Sequence, residues 1–162
     1  MIEIITGDLL EAKEKYICHQ TNTISTNSAA GIARAIFDKY PYADCYLSRT
    51  EQDKPGTIDI KGDGKENRLI INLMGQVYPG GIRYPKSSLD GLAARRKYFY
   101  SCLLRLAKVP DLESVAFPWR VGCGLGGGDW EGYYLGTIRN FSEYINEKQN
   151  AKVFIYRRVG DD

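Results

Sequence analysis

The segment Gly122-Cys-Gly-Leu-Gly-Gly-Gly-Asp-Trp130 carries five glycines within the seven residues from 122 to 128. Free access to positive φ at so many positions costs conformational entropy that an ordinary connector avoids. A backbone bare of side chains can wrap a phosphate with N–H groups, and a helix that follows adds the positive end of its dipole. A second segment, Thr21-Asn-Thr-Ile-Ser-Thr-Asn-Ser-Ala-Ala-Gly31, consists of small and hydroxylated residues ahead of a helical pattern. Such residues suit a phosphate or a sugar, or they simply turn the chain and cap the helix. The third segment is Gly7-Asp8-Leu9, whose aspartate is either a helix cap or an acceptor that reads a base. Two glycine-bearing helix N-termini on one sheet edge would hold a pyrophosphate between them, so a nucleoside diphosphate is the leading ligand class.

These loops need strands before them and helices after them. Short apolar runs at 2–6, 16–19, 57–60, 69–74, 114–117 and 152–156 read as strands. Ile32, Ala33, Ile36, Phe37 and Tyr40 fall on one face of a helix stopped by Pro41, with a second short helix expected through Tyr46. Leu89, Leu92, Arg96, Phe99, Leu103 and Leu106 step by three and four, with Ser87 or Ser88 as the cap and Pro110 beyond the end. Trp130, Tyr134, Ile138, Phe141 and Ile145 give a last helix. Strands alternating with helices predict an α/β fold, a three-layer α/β/α sandwich around a central mixed, mostly parallel sheet. Its expected core includes Ile4, Ile17, Ile36, Leu69, Ile71, Leu103, Phe117, Ile138 and Phe154. Residues 1–162 show no repeat or composition shift and read as a single domain.

Composition excludes several classes. With 43% hydrophobic and 26% charged residues the chain is ordinary globular material. Lys+Arg 22 against Asp+Glu 20 leaves +2, too balanced to imply a polyanion as the main partner. The longest apolar run is broken by Asn72, so no membrane span is expected, and Met1-Ile-Glu-Ile-Ile-Thr lacks the basic start of a secretory signal. The expected location is intracellular, in the cytoplasm or nucleus. One histidine and four scattered cysteines predict neither a metal site nor a disulfide framework, and no cofactor is expected.

Gly122-x-Gly124-x-x-Gly127 formally matches a dinucleotide fingerprint. The acidic residue that the fingerprint requires after the next strand is replaced by Tyr156-Arg-Arg158, and too little chain follows for a full dinucleotide fold. No Gly-Lys-Ser/Thr phosphate loop and no Gly-x-Ser-x-Gly nucleophile turn is present.

Taken in order, Gly7-Asp8-Leu9-Leu10, Tyr16-Ile-Cys-His-Gln-Thr-Asn22, Ala30-Gly-Ile-Ala-Arg-Ala-Ile36, Val121-Gly-Cys-Gly-Leu125 with Trp130, and Val153-Phe-Ile-Tyr156 resemble a macro domain, the ADP-ribose-binding module. The resemblance spans nearly the whole chain. It is greatest to the branch that holds small ADP-ribose-1″-phosphate phosphatases and the terminal ADP-ribose protein glycohydrolase. The resemblance implies that Asp8 accepts from the adenine amino group with the Leu9 amide beside it, and that Tyr156 packs on the adenine or its ribose. It implies that Ala30, Gly31 and Ile32 border the diphosphate and distal ribose, and that Asn22 reaches the ribose hydroxyls. Gly122, Cys123, Gly124, Leu125, Gly126 and Gly127 would wrap the diphosphate from the other side.

Two departures bear on chemistry. The glycohydrolase branch has an aspartate directly after Gly-Cys-Gly-Leu, where this chain has Gly126, and a catalytic lysine where this chain has Gly75-Gln-Val-Tyr78. A lysine-adduct mechanism is therefore not expected. Catalysis falls to His19, which is either a nucleophile or general acid–base near neutral pH or a structural hydrogen-bonder, and to Asp129, which either positions water or caps a helix. The expected function is removal of a 1″-phosphate or an ester-linked group from the distal ribose of ADP-ribose. The alternative is a non-catalytic reader of ADP-ribose. Expected partners are ADP-ribose or a derivative, including ADP-ribosylated protein or nucleic acid, and not a membrane.

Overall fold

Parallel strands cannot be joined by tight turns, so each needs a crossover long enough to hold a helix. The computed structural model describes residues 1–123 and 128–161, and among them the chain builds six strands that form one sheet. They are β1 (Ile2–Thr6), β2 (Tyr16–Asn22), β3 (Ile58–Lys61), β4 (Leu69–Gln76), β5 (Ser114–Pro118) and β6 (Lys152–Arg157). Their spatial order is β1-β6-β5-β2-β4-β3; all neighbours pair in parallel except β3 and β4, which are antiparallel. Helix α1 (Gly31–Lys39) covers one face, and α2 (Leu92–Leu106) and α3 (Leu135–Gln149) cover the other. This is the three-layer, mostly parallel arrangement the pattern predicts.

Side chains alternate across a strand, and β2 shows the division. Tyr16 and Cys18 join the core under α2 and α3, with Phe99, Leu103, Ile138 and Ile145. Ile17 points the other way, toward Ile36 and Phe37 of α1. Of the expected core, Ile17, Ile36, Ile71, Leu103, Phe117 and Ile138 are buried. Ile4 is not: it is 47% exposed, because β1 is an edge strand. Leu69, the first residue of β4, and Phe154 are half-buried; in β6 the alternation buries Val153 and Ile155 instead.

β2 and β4 run on past the expected ends to Asn22 and Gln76, and the helices differ from the sequence reading at three places. Ser87 caps a turn rather than α2: its Oγ accepts from Leu89 and Asp90, Gly91 N bonds back to its carbonyl, and the helix starts at Leu92. The last helix opens with one wide π-type turn, Trp130–Tyr134, before α3 proper. The helix expected through Tyr46 is a single 3₁₀ turn, Pro41–Ala43, after which Asp44 accepts from the backbone of Tyr46 and Leu47. Among the described residues no helix is long and apolar enough to cross a membrane.

Candidate functional site

The carboxyl ends of five strands open into a cavity of about 680 Å³, lined by Asp8 after β1, Tyr156 of β6, Pro118 of β5, Asn22 of β2 and Gln76 of β4. The outer ends of parallel strands are where loops of such sheets receive ligands. The strand order therefore lays the lining groups out in a row, from Asp8 and Tyr156 at one end to Gln76 at the other.

At the first end Asp8 both caps and remains available. Its Oδ1 accepts from Leu10 N at 3.0 Å, capping the short turn Leu9–Glu11, while the carboxylate stays exposed in the cavity. Leu9 is buried behind it. Tyr156 is held as a wall: its hydroxyl donates to Glu14 Oε1 at 2.6 Å, and burial, helped by that carboxylate, pushes the phenol up to about 12. Arg158 and Asp161 close this end; Asp161 Oδ2 accepts from Arg158 N, and its carbonyl accepts from the Arg157 guanidinium, which lies over Trp119 at 4.4 Å.

In the middle, Ala30 is the N-cap of α1 and supplies no side-chain cap, so among the described residues the first N–H groups of the helix have no capping side chain where Ala30, Ile32 and Ala33 line the cavity. Ala30 and Ile32 line the cavity, and Gly31 makes the turn between them. Opposite, Arg120 and Gly122 line the far wall. Gly122 sits at φ +79, and a Cβ there would lie 2.9 Å from Gln20 Oε1 and 3.0 Å from the Tyr134 ring, so a larger residue is strained and must displace one or both side chains.

At the β4 end the carboxamides gather. Asn22 lines the cavity but is committed to the scaffold. Its Oδ1 accepts from Ile24 N and Ser25 N, and its Nδ2 donates to the Tyr46 hydroxyl. The buried Arg49 guanidinium secures the same turn through the carbonyls of Asn22 and Ser25. Asn22 therefore shapes the turn while it lines the cavity beside Gln20 and Gln76. These bond to each other, Gln20 Nε2 donating to Gln76 Oε1 at 2.7 Å.

His19 is corrected by the structure. It is fully buried and does not line the cavity, because β2 alternates and His19 points with Ile17 toward α1, its ring edge-on to Phe37 at 5.2 Å. Its Nε2–H donates to Asn72 Oδ1 at 2.6 Å, since the Asn72 amide nitrogen already donates to Ala43 O and Asp59 Oδ2. Burial lowers its pKa to about 4, the Asn72 bond opposing, so the ring is neutral near pH 7. Of the two roles expected for Asp129, the structure shows the cap: it accepts from Gly132 N at 2.9 Å to cap the turn at Trp130, faces Arg96, and among the described residues lies outside the cavity lining. Cys123 is buried, its thiol donating to Val121 O, and burial pushes that thiol up to about 12. Gly124, Leu125, Gly126 and Gly127 lie outside the described residues.

Tyr46, Pro79, Gly80, Trp119, Arg120 and Arg158 also line the cavity and were not expected there. Position at a strand end was the one available signal, for Trp119-Arg120 after β5 and for Pro79-Gly80 after β4.

No family model matches the chain, and no curated protein does. Solved structures do. The macrodomain of Mycobacterium tuberculosis DarG superposes with TM-score 0.69 at 24% identity, over 96% of this chain and 97% of that one. The macrodomain of Thermus aquaticus DarG gives 0.64 at 21%, over 97% and 98%. A variant Oceanobacillus iheyensis macrodomain, solved with ADPR, gives 0.65 at 23%, over 96% and 83%. The chain has the macrodomain fold.

Proposed function

We propose that residues 1–162 act as one macro domain that binds ADP-ribose, free or as the ADP-ribosyl group of a modified protein or nucleic acid. The adenine lies between Asp8 and Tyr156, the diphosphate between the α1 N-terminus and the Gly122 turn, and the distal ribose toward Gln20 and Gln76. The observation that carries this reading is the order of chemically distinct groups along one sheet edge: a carboxylate beside an aromatic wall, then helix N–H groups with no capping side chain and Arg120 opposite, then carboxamides. That order matches base, diphosphate and sugar in sequence, and the cavity volume falls in the range that encloses a small ligand. The related fold solved with ADPR supports the same ligand class.

Of the two functions expected from the sequence, binding takes precedence. His19 is buried between the sheet and α1 and Asp129 is a cap, and neither is among the described residues that line the cavity. The second reading is hydrolysis of a 1″-phosphate or ester-linked group on the distal ribose, favoured by the polar carboxamides at that end of the cavity; these orient a water but take no proton.

Titration calorimetry and thermal melts test the binding reading. ADP-ribose should bind and raise Tm, and NAD should do so much less because nicotinamide occupies the distal ribose. Equal stabilisation by both would overturn it. Incubation with ADP-ribose-1″-phosphate and with mono-ADP-ribosylated protein or DNA, measuring phosphate and ADP-ribose release, decides between reader and hydrolase.

A further inference from the structure

A buried ion pair stands beside the cavity without lining it. Arg95 of α2 is 1% exposed in its side chain and Asp90, just before the helix, 9%. Nη2 of Arg95 meets Asp90 Oδ2 at 2.7 Å and its Nε meets Oδ1 at 3.2 Å. A buried pair of this kind contributes little net stability over a well-packed apolar pair. Among the described residues, its other side-chain bonds converge on one backbone segment. Asp90 accepts from Val77 N at 2.8 Å and Tyr78 N at 3.2 Å, while Arg95 donates to Gly80 O at 2.9 Å and Tyr78 O at 3.3 Å. That segment, ending at Gly80, is the cavity's wall beyond β4.

The same carbonyls dictate how two glutamines point. Gln76 Nε2 donates to Tyr78 O at 2.7 Å and Gly80 O at 3.2 Å, and only an amide nitrogen can face two carbonyls. Gln76 Oε1 must then face Gln20, which turns its own Nε2 toward it. The orientation of both carboxamides thus follows from the shape of the Tyr78–Gly80 backbone, and that shape follows from Asp90 and Arg95.

We propose that the Asp90–Arg95 pair is a positioning device for the far end of the cavity, which sets the wall beyond β4 and, through it, the Gln76 and Gln20 carboxamides that meet the distal ribose. The proposal rests on the ADP-ribose reading. It requires the pair to govern the affinity gained from the distal ribose while leaving the adenine and diphosphate contacts at the other strands untouched.

The test compares ADP-ribose with ADP by titration calorimetry in the wild type, in Arg95→Lys, and in the double variant Asp90→Asn/Arg95→Met, which leaves no lone buried charge. Wild type should prefer ADP-ribose. The double variant should lose roughly tenfold of ADP-ribose affinity, the scale of one charge-assisted contact, with ADP changed less than about twofold, well below that scale. Arg95→Lys should not rescue, because an ammonium cannot bridge the carboxylate and two carbonyls as a planar fork does. Equal losses for ADP-ribose and ADP would reduce the pair to a merely structural role, and an unchanged ADP-ribose affinity would overturn the proposal outright. Hydrogen exchange read on peptides spanning 76–81 adds a ligand-free arm: it should accelerate in the double variant while β2 and β5 keep their protection. Unchanged exchange there overturns the proposal. Failure of the wild type to bind either nucleotide overturns the ligand reading, with the exchange result still deciding whether the pair holds the wall.

Discussion

Gln20 Nε2 donates to Gln76 Oε1 across 2.7 Å, and the Gln20 carboxamide occupies space that two glycines leave open. A Cβ on Gly75 would collide with that carboxamide from β4, and one on Gly122 would sit 2.9 Å from its Oε1. The β2–β4 register slips here, Thr21 facing Met74 and Asn22 facing Gln76, so Gly75 is the extra residue of a bulge. The polar end of the cavity therefore depends on absent side chains as much as on present ones.

Gly122→Ala should show this dependence. At φ +79 an alanine is strained, and its methyl meets both Gln20 and Tyr134, so the variant should lose about 1–3 kcal/mol of stability. Denaturant melts would register that loss, and calorimetry should find ADP-ribose affinity reduced with it. A variant as stable and as competent as wild type would show that the Gly122 turn does not pack as described.

Asp8 has two tasks that substitution can separate. Asp8→Ala removes the cap on Leu10 N and the acceptor proposed for adenine together, so affinity should fall by about 1–3 kcal/mol, with a smaller loss of Tm. Asp8→Asn keeps an oxygen for Leu10, so Tm should return. Its other atom becomes an amide donor, and affinity should stay low. Recovery of affinity in Asp8→Asn would mean the adenine amino group does not bond there.

Asp129→Asn should be silent in stability and in ADP-ribose binding, since asparagine caps as well as aspartate does. Asp129→Ala should lower stability by about 1 kcal/mol and leave affinity alone. Loss of affinity in either variant would return Asp129 to the binding site.

The layers and the sheet edge were legible because periodicity reports them: the stop at Pro41 and the buried alternation of β4 need no tertiary information. Asp8 and the Ala30–Ile32 turn were legible for the same reason, as residues that must follow a strand or start a helix. His19 was not. A histidine at the end of a strand reads as reactive, but the alternation that puts Ile17 under α1 puts His19 there too, two residues on. The Asp90–Arg95 pair was illegible for a different reason. Arg96, its neighbour, fits the apolar stepping of α2, whereas Arg95 is drawn inward by carbonyls supplied by a loop that sequence shows only as glycine, proline and tyrosine. Sequence spacing also left Gln20 and Gln76 unremarked, since their meaning arises only from the β2–β4 register.

His19 gives the last prediction, and it concerns stability. Its pKa is about 4 in the fold, because burial excludes the charged ring, against about 6.5 in an unfolded chain. The unfolded state therefore binds a proton that the native state refuses between those two values. Native stability supplied by the neutral ring is complete above pH 6.5 and is lost as pH falls toward 4. The loss over that interval is on the order of 3 kcal/mol. Urea unfolding at pH 7.5 and at pH 4.5 measures it, but carboxylates titrate in the same range, so a variant must isolate the histidine. His19→Gln keeps a donor for Asn72 Oδ1 and cannot take the proton. It should cost some stability at pH 7.5 through imperfect packing on Phe37, and should narrow the difference between the two pH values by about 2–3 kcal/mol. ADP-ribose affinity at pH 7.5 should match wild type, because the ring does not line the cavity. An acid response identical to wild type would place the titrating group elsewhere, and a collapse of ligand affinity with stability preserved would bring His19 back to the site.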